Sequence, residues 1–242
     1  LALTVCLLLR FEVSGGLQFI EKTAWIPELG VDYFVGLDGI NALVLLLAAL
    51  LAPLVVLASW KHTDRPRTYF ALLCLQFTGL FGTFTALNFF HWFLYWEMAL
   101  LPAFFLIKIF GDGEDRHRAA LNFFLFTVVG SIAMLLGFLF LYRQTGTFDF
   151  ILLTKLGAGA HPLIFCAVVA GLWVKVPLAP LHIWQAPAYS AAPVPVAMLL
   201  TGVMSKMGVY GFLRLVAPIF PSQLQEYATP LMVLALITIL WG

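Results

Sequence analysis

Six stretches of this chain, at roughly 38–60, 69–87, 89–110, 119–142, 161–183 and 193–216, run close to the length of a bilayer crossing and carry almost no charge. A crossing needs about 20 apolar residues. Two further runs, 1–9 and 228–242, read as partial or tilted crossings. No water-soluble domain hides that much apolar surface. The composition agrees: 62% of the 242 residues are hydrophobic and 10% charged, against about 25% charged in a soluble domain. Mean hydropathy is +1.00. Without water in the bilayer core each backbone must satisfy itself, so each crossing must be helical. The fold class that follows is an all-α polytopic membrane protein. A formal net charge of +1 gives no polyanion-binding signature, so nucleic acid is excluded as a partner and the lipid bilayer is expected.

Other function classes drop out on motifs. Cys6, Cys74 and Cys166 are scattered in apolar stretches with no CxxC pair. They encode neither a zinc site nor an iron–sulfur cluster and read as small buried hydrophobes. No glycine-rich nucleotide motif is present, and no cofactor is expected in this chain. The chain starts without methionine inside Leu1–Leu9 and stops at Gly242 inside another apolar run, so both ends read as cuts in a longer protein. Residues 10–37 form the longest connection, with Trp25, Pro27 and Tyr33, and should lie along the interface; Asp38 then stands where a helix N-cap belongs. Lys61, Arg65, Arg67, Lys108, Arg116 and Arg118 collect on one side, and Arg10, Lys22, Arg143, Lys155 and Arg214 on the other. The first set is denser and its loops shorter, which puts that side in the cytoplasm.

Among the 13 basic and 12 acidic residues, three lie well inside apolar segments: Glu97, Lys175 and Lys206. An ionised group at membrane depth costs about 2.5–3.5 kcal/mol even on insertion scales. Loss of hydration disfavours the charged form of any acid or base, so such groups can load and release protons. The functional reading is a proton path; the structural alternative is a static ion pair plus a snorkelling lysine. Pro177 and Pro180 follow Lys175 directly. They should break the helix there and free carbonyls beside the lysine, the build of a transporter site. His182, just beyond, could relay protons or sit satisfied at the interface. His91, near the start of its segment, reads as interfacial. Thr127, Gly130 and Ser131 form a small-residue face of the kind that packs helices closely.

The stretches WEMALLPAFFLI, ALNFFLFTVVGS, VKVPLAPLHIW and LLTGVMSKMGVYGFLRL, with WIPELGVDYF and GLDGINALVLLL before them, resemble the antiporter-like subunits of respiratory complex I. They fit best the bacterial chain M type, the counterpart of mitochondrial subunit 4. The resemblance covers about residues 25–242 and implies a bundle of inverted five-helix repeats, each a half-channel with a proline-broken helix, here truncated at both ends. It divides the chain into a partial first helix and interfacial connection at 1–37 and two helices at 38–87. A five-helix half-channel follows at 89–216, taking in the helix at 69–87, and an incomplete second repeat begins at 228–242. It matches Glu97, Lys175 and Lys206 to the family's proton-carrying glutamate and lysines.

The resemblance also implies a proton-translocating, non-redox subunit of an NADH–quinone oxidoreductase. Its partners would be other membrane-arm subunits, and its location the bacterial inner membrane. A multi-subunit cation/proton antiporter, a hydrogenase-linked pump and an inert degenerate copy compete with it. Two departures stand out: Asn122 replaces a usual lysine, and Gln185–Tyr189 (QAPAY) replaces leucine-proline-aspartate-alanine-histidine.

Overall fold

The computed structural model describes residues 1–13, 15–157 and 161–241. Five helices are long and apolar enough to cross a membrane: α2 (Gly39–Ala58), α3 (Pro66–Thr85), α4 (Phe89–Phe110), α5 (Arg116–Thr145) and α9 (Val194–Ile219). The outer runs are helical as expected, α1 at Ala2–Leu9 and α11 at Ala228–Trp241. Two short helices not anticipated are α6 (Phe150–Leu156) and α10 (Pro221–Glu226). The 161–183 stretch is not one helix. It is α7 (Pro162–Lys175), a turn-rich break, and α8 (Gln185–Ala191). At 1.5 Å per residue α7 alone spans about 21 Å, short of a hydrocarbon core of about 30 Å.

The 10–37 connection contains a hairpin of β1 (Gln18–Ile26) and β2 (Val31–Leu37). The strands are antiparallel, with Lys22 opposite Phe34 and Thr23 opposite Tyr33. Pro27 opens the single turn between them and Gly30 closes it at φ 61°, a left-handed conformation that suits glycine. The hairpin is fixed to the helices at one end of the bundle. Leu87 N–H donates to the Phe34 carbonyl at 2.8 Å. Lys22 Nζ lies 2.7 Å from Asp149 and 3.2 Å from Asp32. Burial works against the Lys22 charge, but hydrogen bonds and attraction from both carboxylates overcome it and hold the ammonium above its ordinary pKa. Residues 10–37 and the start of α6 thus share one end. At the opposite end His62, after α2, meets Phe110, the last residue of α4, edge to face.

The crossings pack as a closed ring in the order α2, α3, α4, α5, α7, α9 and back to α2. Small residues let the backbones approach. A Cβ on Gly79 of α3 would sit 2.5 Å from the Ala99 nitrogen of α4, and one on Gly171 of α7 would sit 2.6 Å from the Gly130 carbonyl of α5. This is the packing expected at Thr127, Gly130 and Ser131. Lipid tails are as apolar as leucine, so close contact rather than water exclusion holds such a ring. Trp92, Trp96, Phe123, Leu172 and Tyr210 fill its inside, while Leu43, Leu57, Ile132 and Leu136 point out. Cys6, Cys74 and Cys166 are on the outside too. The expectation that they are buried is corrected: apolar surroundings on these helices include the lipid face.

One charge pair is buried in the ring. Asp38 caps α2, accepting from Ile40 N–H at 3.0 Å and Asn41 N–H at 3.2 Å, while its own N–H donates to Asn41 Oδ1 at 2.7 Å. The same carboxylate takes two hydrogen bonds of 2.7 Å from Arg214 of α9. Arg214 Nε donates to the Tyr210 hydroxyl at 3.1 Å, and that hydroxyl donates to the Phe84 carbonyl at 3.1 Å. Burial alone would raise the Asp38 pKa; the Arg214 bonds and charge, with the two N–H donors, hold it below the usual carboxylate range. Arg214, grouped above with the charges at segment ends, is inside the protein, with its side chain 7% exposed.

Candidate functional site

Lys175 is the last residue of α7 and is 3% exposed. Proline cannot donate to the helix ladder and crowds the preceding turn, so Pro177 and Pro180 end the helix where the sequence places the break. The carbonyls beside the lysine are not free, however. Trp173 O accepts from Leu178 N–H at 3.1 Å. Val174 O accepts from the Trp184 indole at 3.2 Å, and Ala179 O from the Trp173 indole at 3.2 Å. Two indoles thus replace the lost backbone donors, which makes irregular backbone tolerable at membrane depth. The Lys175 ammonium has no hydrogen-bond partner among the described residues. It sits 4.9 Å from the centre of the Trp96 ring, a cation–π contact.

Glu97 follows Trp96 on α4 and is half-buried, with Oε1 unpartnered among the described residues. Glu97 and Lys175 feel each other's charge but form no direct ion pair among the described residues. Trp96 and Ser131 of α5 stand in the gap. Ser131 Oγ accepts from the Trp96 indole N–H at 3.0 Å, and Ser131 also interacts with the Glu97 carboxylate. The acid and the base are therefore joined through one ring and one hydroxyl. Ser131, read from sequence as packing only, is also a polar link, and Trp96 was not singled out at all. The signal was the pair of adjacent residues in YWEM, but the partner hydroxyl is 35 residues away.

Lys206 lies on α9 two residues beyond a π-helical turn at Leu200–Met204. π turns often mark functional positions in helices. The Lys206 ammonium donates to the Thr201 carbonyl at 2.8 Å and to Ser205 Oγ at 3.2 Å. Its side chain is on the outer face of the ring formed by the described residues, not in the interior that its mid-segment position suggested. His182 is in the break, half-buried, and its carbonyl accepts from Gln185 N–H at 2.9 Å, starting α8. Lys175 and Glu97 thus come together, Lys206 stays on the outer face while its neighbour Ser205 lines the same small cavity as Lys175, and His182 stands on the linker. His91 is buried at the start of α4 between Tyr33 and Tyr95, ring centres 4.8 and 4.9 Å away.

The family described as NADH:quinone oxidoreductase/Mrp antiporter, TM, matches residues 86–242. The chain is 38% identical over 251 residues to NADH-ubiquinone oxidoreductase chain 4 of Metridium senile, covering 100% of this chain and 51% of that one. It is 32% identical over 245 residues to NADH-quinone oxidoreductase subunit M of Rickettsia conorii, covering 99% and 50%. A chain of respiratory complex I from Thermus thermophilus, solved with bound NADH, superposes with a TM-score of 0.85 at 29% identity, covering 96% of this chain and 50% of that one. The chain spans about half the length of the curated relatives it matches.

Proposed function

Because the chain belongs to the NADH:quinone oxidoreductase/Mrp antiporter transmembrane family, we propose that it supplies a proton-translocating half-channel to a membrane-arm subunit of a complex I-type NADH–quinone oxidoreductase. In this reading residues 89–216, with the helix at 69–87, form the half-channel. The chain does no redox chemistry; quinone reduction elsewhere in the complex drives proton movement here, in a bacterial inner membrane, beside other membrane-arm subunits. The observation that carries it is the Lys175 ammonium, buried at a broken helix without a hydrogen-bond partner among the described residues.

A structural lysine at that depth would be expected to carry a full set of acceptors, since an unpartnered buried charge is costly. A lysine that must give up its proton needs the opposite: few groups that bind the charged form, and one remote carboxylate whose pull can be varied. The Trp96 ring holds the cation weakly, and Glu97 attracts it across that ring. Moving or neutralising Glu97 then releases the proton onward to Lys206. Lys206 on the outer face supports a further point. A lysine facing lipid is costly, so that face of α9 is covered by more protein or by water in the full-length subunit.

The family also contains Mrp antiporters, which favours a cation/proton antiporter as the second reading; quinone-reductase genes beside this one would decide for the first. The functional test is Lys175→Met in the full-length protein, assembled in its complex and reconstituted in vesicles. Proton uptake driven by NADH should stop. Uptake at the wild-type rate in assembled Lys175→Met complexes would end this reading.

A further inference from the structure

The hairpin and α4 border a cavity of about 530 Å³. One wall comes from Trp25 and Tyr33 of the hairpin, the other from His91, Leu94, Tyr95 and Met98 of α4. Ligand sites measure about 300–1,000 Å³ and combine apolar walls with a few placed polar groups. His91 is the placed group here. It is 4% exposed, and its Nδ1 has no partner among the described residues. The ring interacts with the Phe34 backbone. A neutral imidazole has one N–H and one bare nitrogen. With the N–H given to that backbone, Nδ1 is left as a buried acceptor that nothing in the chain uses.

Three aromatic rings stand around the imidazole. The ring centres of Tyr33, Tyr95 and Trp25 lie 4.8, 4.9 and 6.4 Å from it. Aromatic faces attract cations, and cages of such rings take up ammonium groups. No Asp, Glu, Lys or Arg lines the cavity among the described residues. Lys22 of the hairpin is held elsewhere, by Asp149, Asp32 and the Phe34 ring. The first two amides of α4 are committed as well, Phe89 N–H to the Phe148 carbonyl at 2.8 Å and Phe90 N–H to Asn88 Oδ1 at 3.1 Å. An anion therefore finds little to hold it. An ammonium finds three π faces, and a primary ammonium also finds in Nδ1 an acceptor for one of its N–H donors. A quaternary ammonium has no N–H to give.

The place of the cavity selects a lipid. Trp25 and Tyr33 are partly exposed, and amphipathic rings of this kind settle at headgroup level. From His91 to Met98 the cavity follows α4 for about 10 Å into the crossing, at 1.5 Å per residue. Leu94, on that stretch, faces outward from the ring. The polar end and the apolar end thus come in the order in which a lipid presents its head and its chain. We propose that this cavity binds a phosphatidylethanolamine-type lipid, its primary ammonium against His91 and the three aromatic rings and one acyl chain along Leu94 and Met98. The proposal goes beyond the half-channel reading and does not depend on it.

The test uses the full-length protein with its accompanying subunits, purified in mild detergent and given a phosphatidylethanolamine with a photoactivatable diazirine in its acyl chain. Wild type should be labelled within residues 94–98. Unlabelled phosphatidylethanolamine should compete about tenfold better than phosphatidylcholine or phosphatidylglycerol, the worth of one hydrogen bond to a charged group. His91→Phe keeps a ring and removes the acceptor, so it should cut labelling about tenfold and erase the preference over phosphatidylcholine. Trp25→Ala, on the exposed hairpin, should weaken both lipids and keep the preference. Equal competition by all three lipids would mean ordinary annular lipid and overturn the proposal, as would unchanged labelling in both variants. Competition by free ethanolamine at the lipid's own concentration would show recognition without a chain and overturn the lipid assignment. Absence of label at 94–98 in wild type, with a neighbouring subunit filling the space, would overturn it too. If His91→Phe fails to assemble, Trp25→Ala and the wild-type competition series decide.

Discussion

Removing either member of the Asp38–Arg214 pair should destabilise the protein, and by different amounts. Arg214 is 7% exposed and Asp38 20%, and two bonds of 2.7 Å join them. Breaking a buried pair by deleting one partner costs about 3–5 kcal/mol, because the survivor is left charged in low dielectric. Asp38→Asn strands the guanidinium, the more buried partner. Only neutral acceptors remain to it, the Tyr210 hydroxyl and the amide oxygen of the new asparagine, so the cost should lie near 5 kcal/mol, the top of that range. Arg214→Met strands the carboxylate instead. That carboxylate keeps its N–H donors from Ile40 and Asn41, sits at a helix N-terminus that favours negative charge, and reaches water. Its cost should be near 3 kcal/mol or below. Asp38→Ala should exceed Asp38→Asn by about 1 kcal/mol, the worth of a helix cap. The double variant Asp38→Asn with Arg214→Met should recover much of the loss. Equilibrium unfolding of the full-length protein in mixed SDS and mild detergent measures all four. Equal costs for Asp38→Asn and Arg214→Met, or strict additivity in the double variant, would refute the argument that burial of the survivor sets the penalty.

Glu97→Gln and Lys175→Met should couple by about 1–2 kcal/mol in a stability cycle, less than a direct buried pair, because Trp96 and Ser131 stand between them; additivity within about 0.5 kcal/mol would mean that they do not interact. Lys206→Arg keeps the charge but cannot release its proton at reachable pH, so assembled complexes should lose proton uptake, and an unchanged proton-to-electron ratio would remove Lys206 from the mechanism. Lys22 has its pKa raised in the folded protein, so its hold on the hairpin is complete below about pH 10.4, the ordinary lysine value, and fades as pH rises through the folded value. Protease cutting within residues 18–37 should therefore stay flat from neutral pH to about pH 10 and rise above it; Lys22→Ala should show fast cutting at every pH, and equal cutting of both proteins at pH 8 would sink the assignment.

The crossings were legible because lipid imposes a length and forbids unpaired backbone, so 20 uncharged residues admit one reading. The break at Pro177 was legible for the same reason. Which side of a crossing faces inward was not. Lipid and core are both apolar, so Cys74 and Cys166 carry no mark of pointing outward. Nor was the hairpin: FIEKTAWI and VDYFVGL alternate imperfectly, and they become strands by pairing with each other and by the Leu87–Phe34 bond. The charged site was half legible. Glu97 and Lys175 announce themselves by being out of place in apolar sequence. Trp96 and Ser131 are ordinary residues in a membrane helix, and only the close approach of α4 and α5 makes them a link. Arg214 was hidden by lying near a segment end, with its partner 176 residues away.

The polar groups of the ring fall into two sets with opposite chemistry, and the difference separates scaffold from conductor. Asp38, Arg214 and Tyr210 bind one another: each of the three Arg214 nitrogens and the Tyr210 hydroxyl has an acceptor at 2.7–3.1 Å. Such a buried network is rigid, and any rearrangement leaves a charge unpartnered. Glu97, Lys175 and the small cavity are the reverse. Glu97 Oε1 and Lys175 Nζ are unpartnered among the described residues, and the Tyr189 hydroxyl stands 3.4 Å from the Leu200 carbonyl. Folding stability alone would select against such gaps, since each costs about 1–3 kcal/mol or more. Proton transfer requires them, because a proton leaves only a group that is not already tied down. The two sets meet on α9, which carries Ser205 and Lys206 on one stretch and Arg214 two turns further along. The clamp fixes the helix, so that the loose set can exchange protons without the ring moving apart.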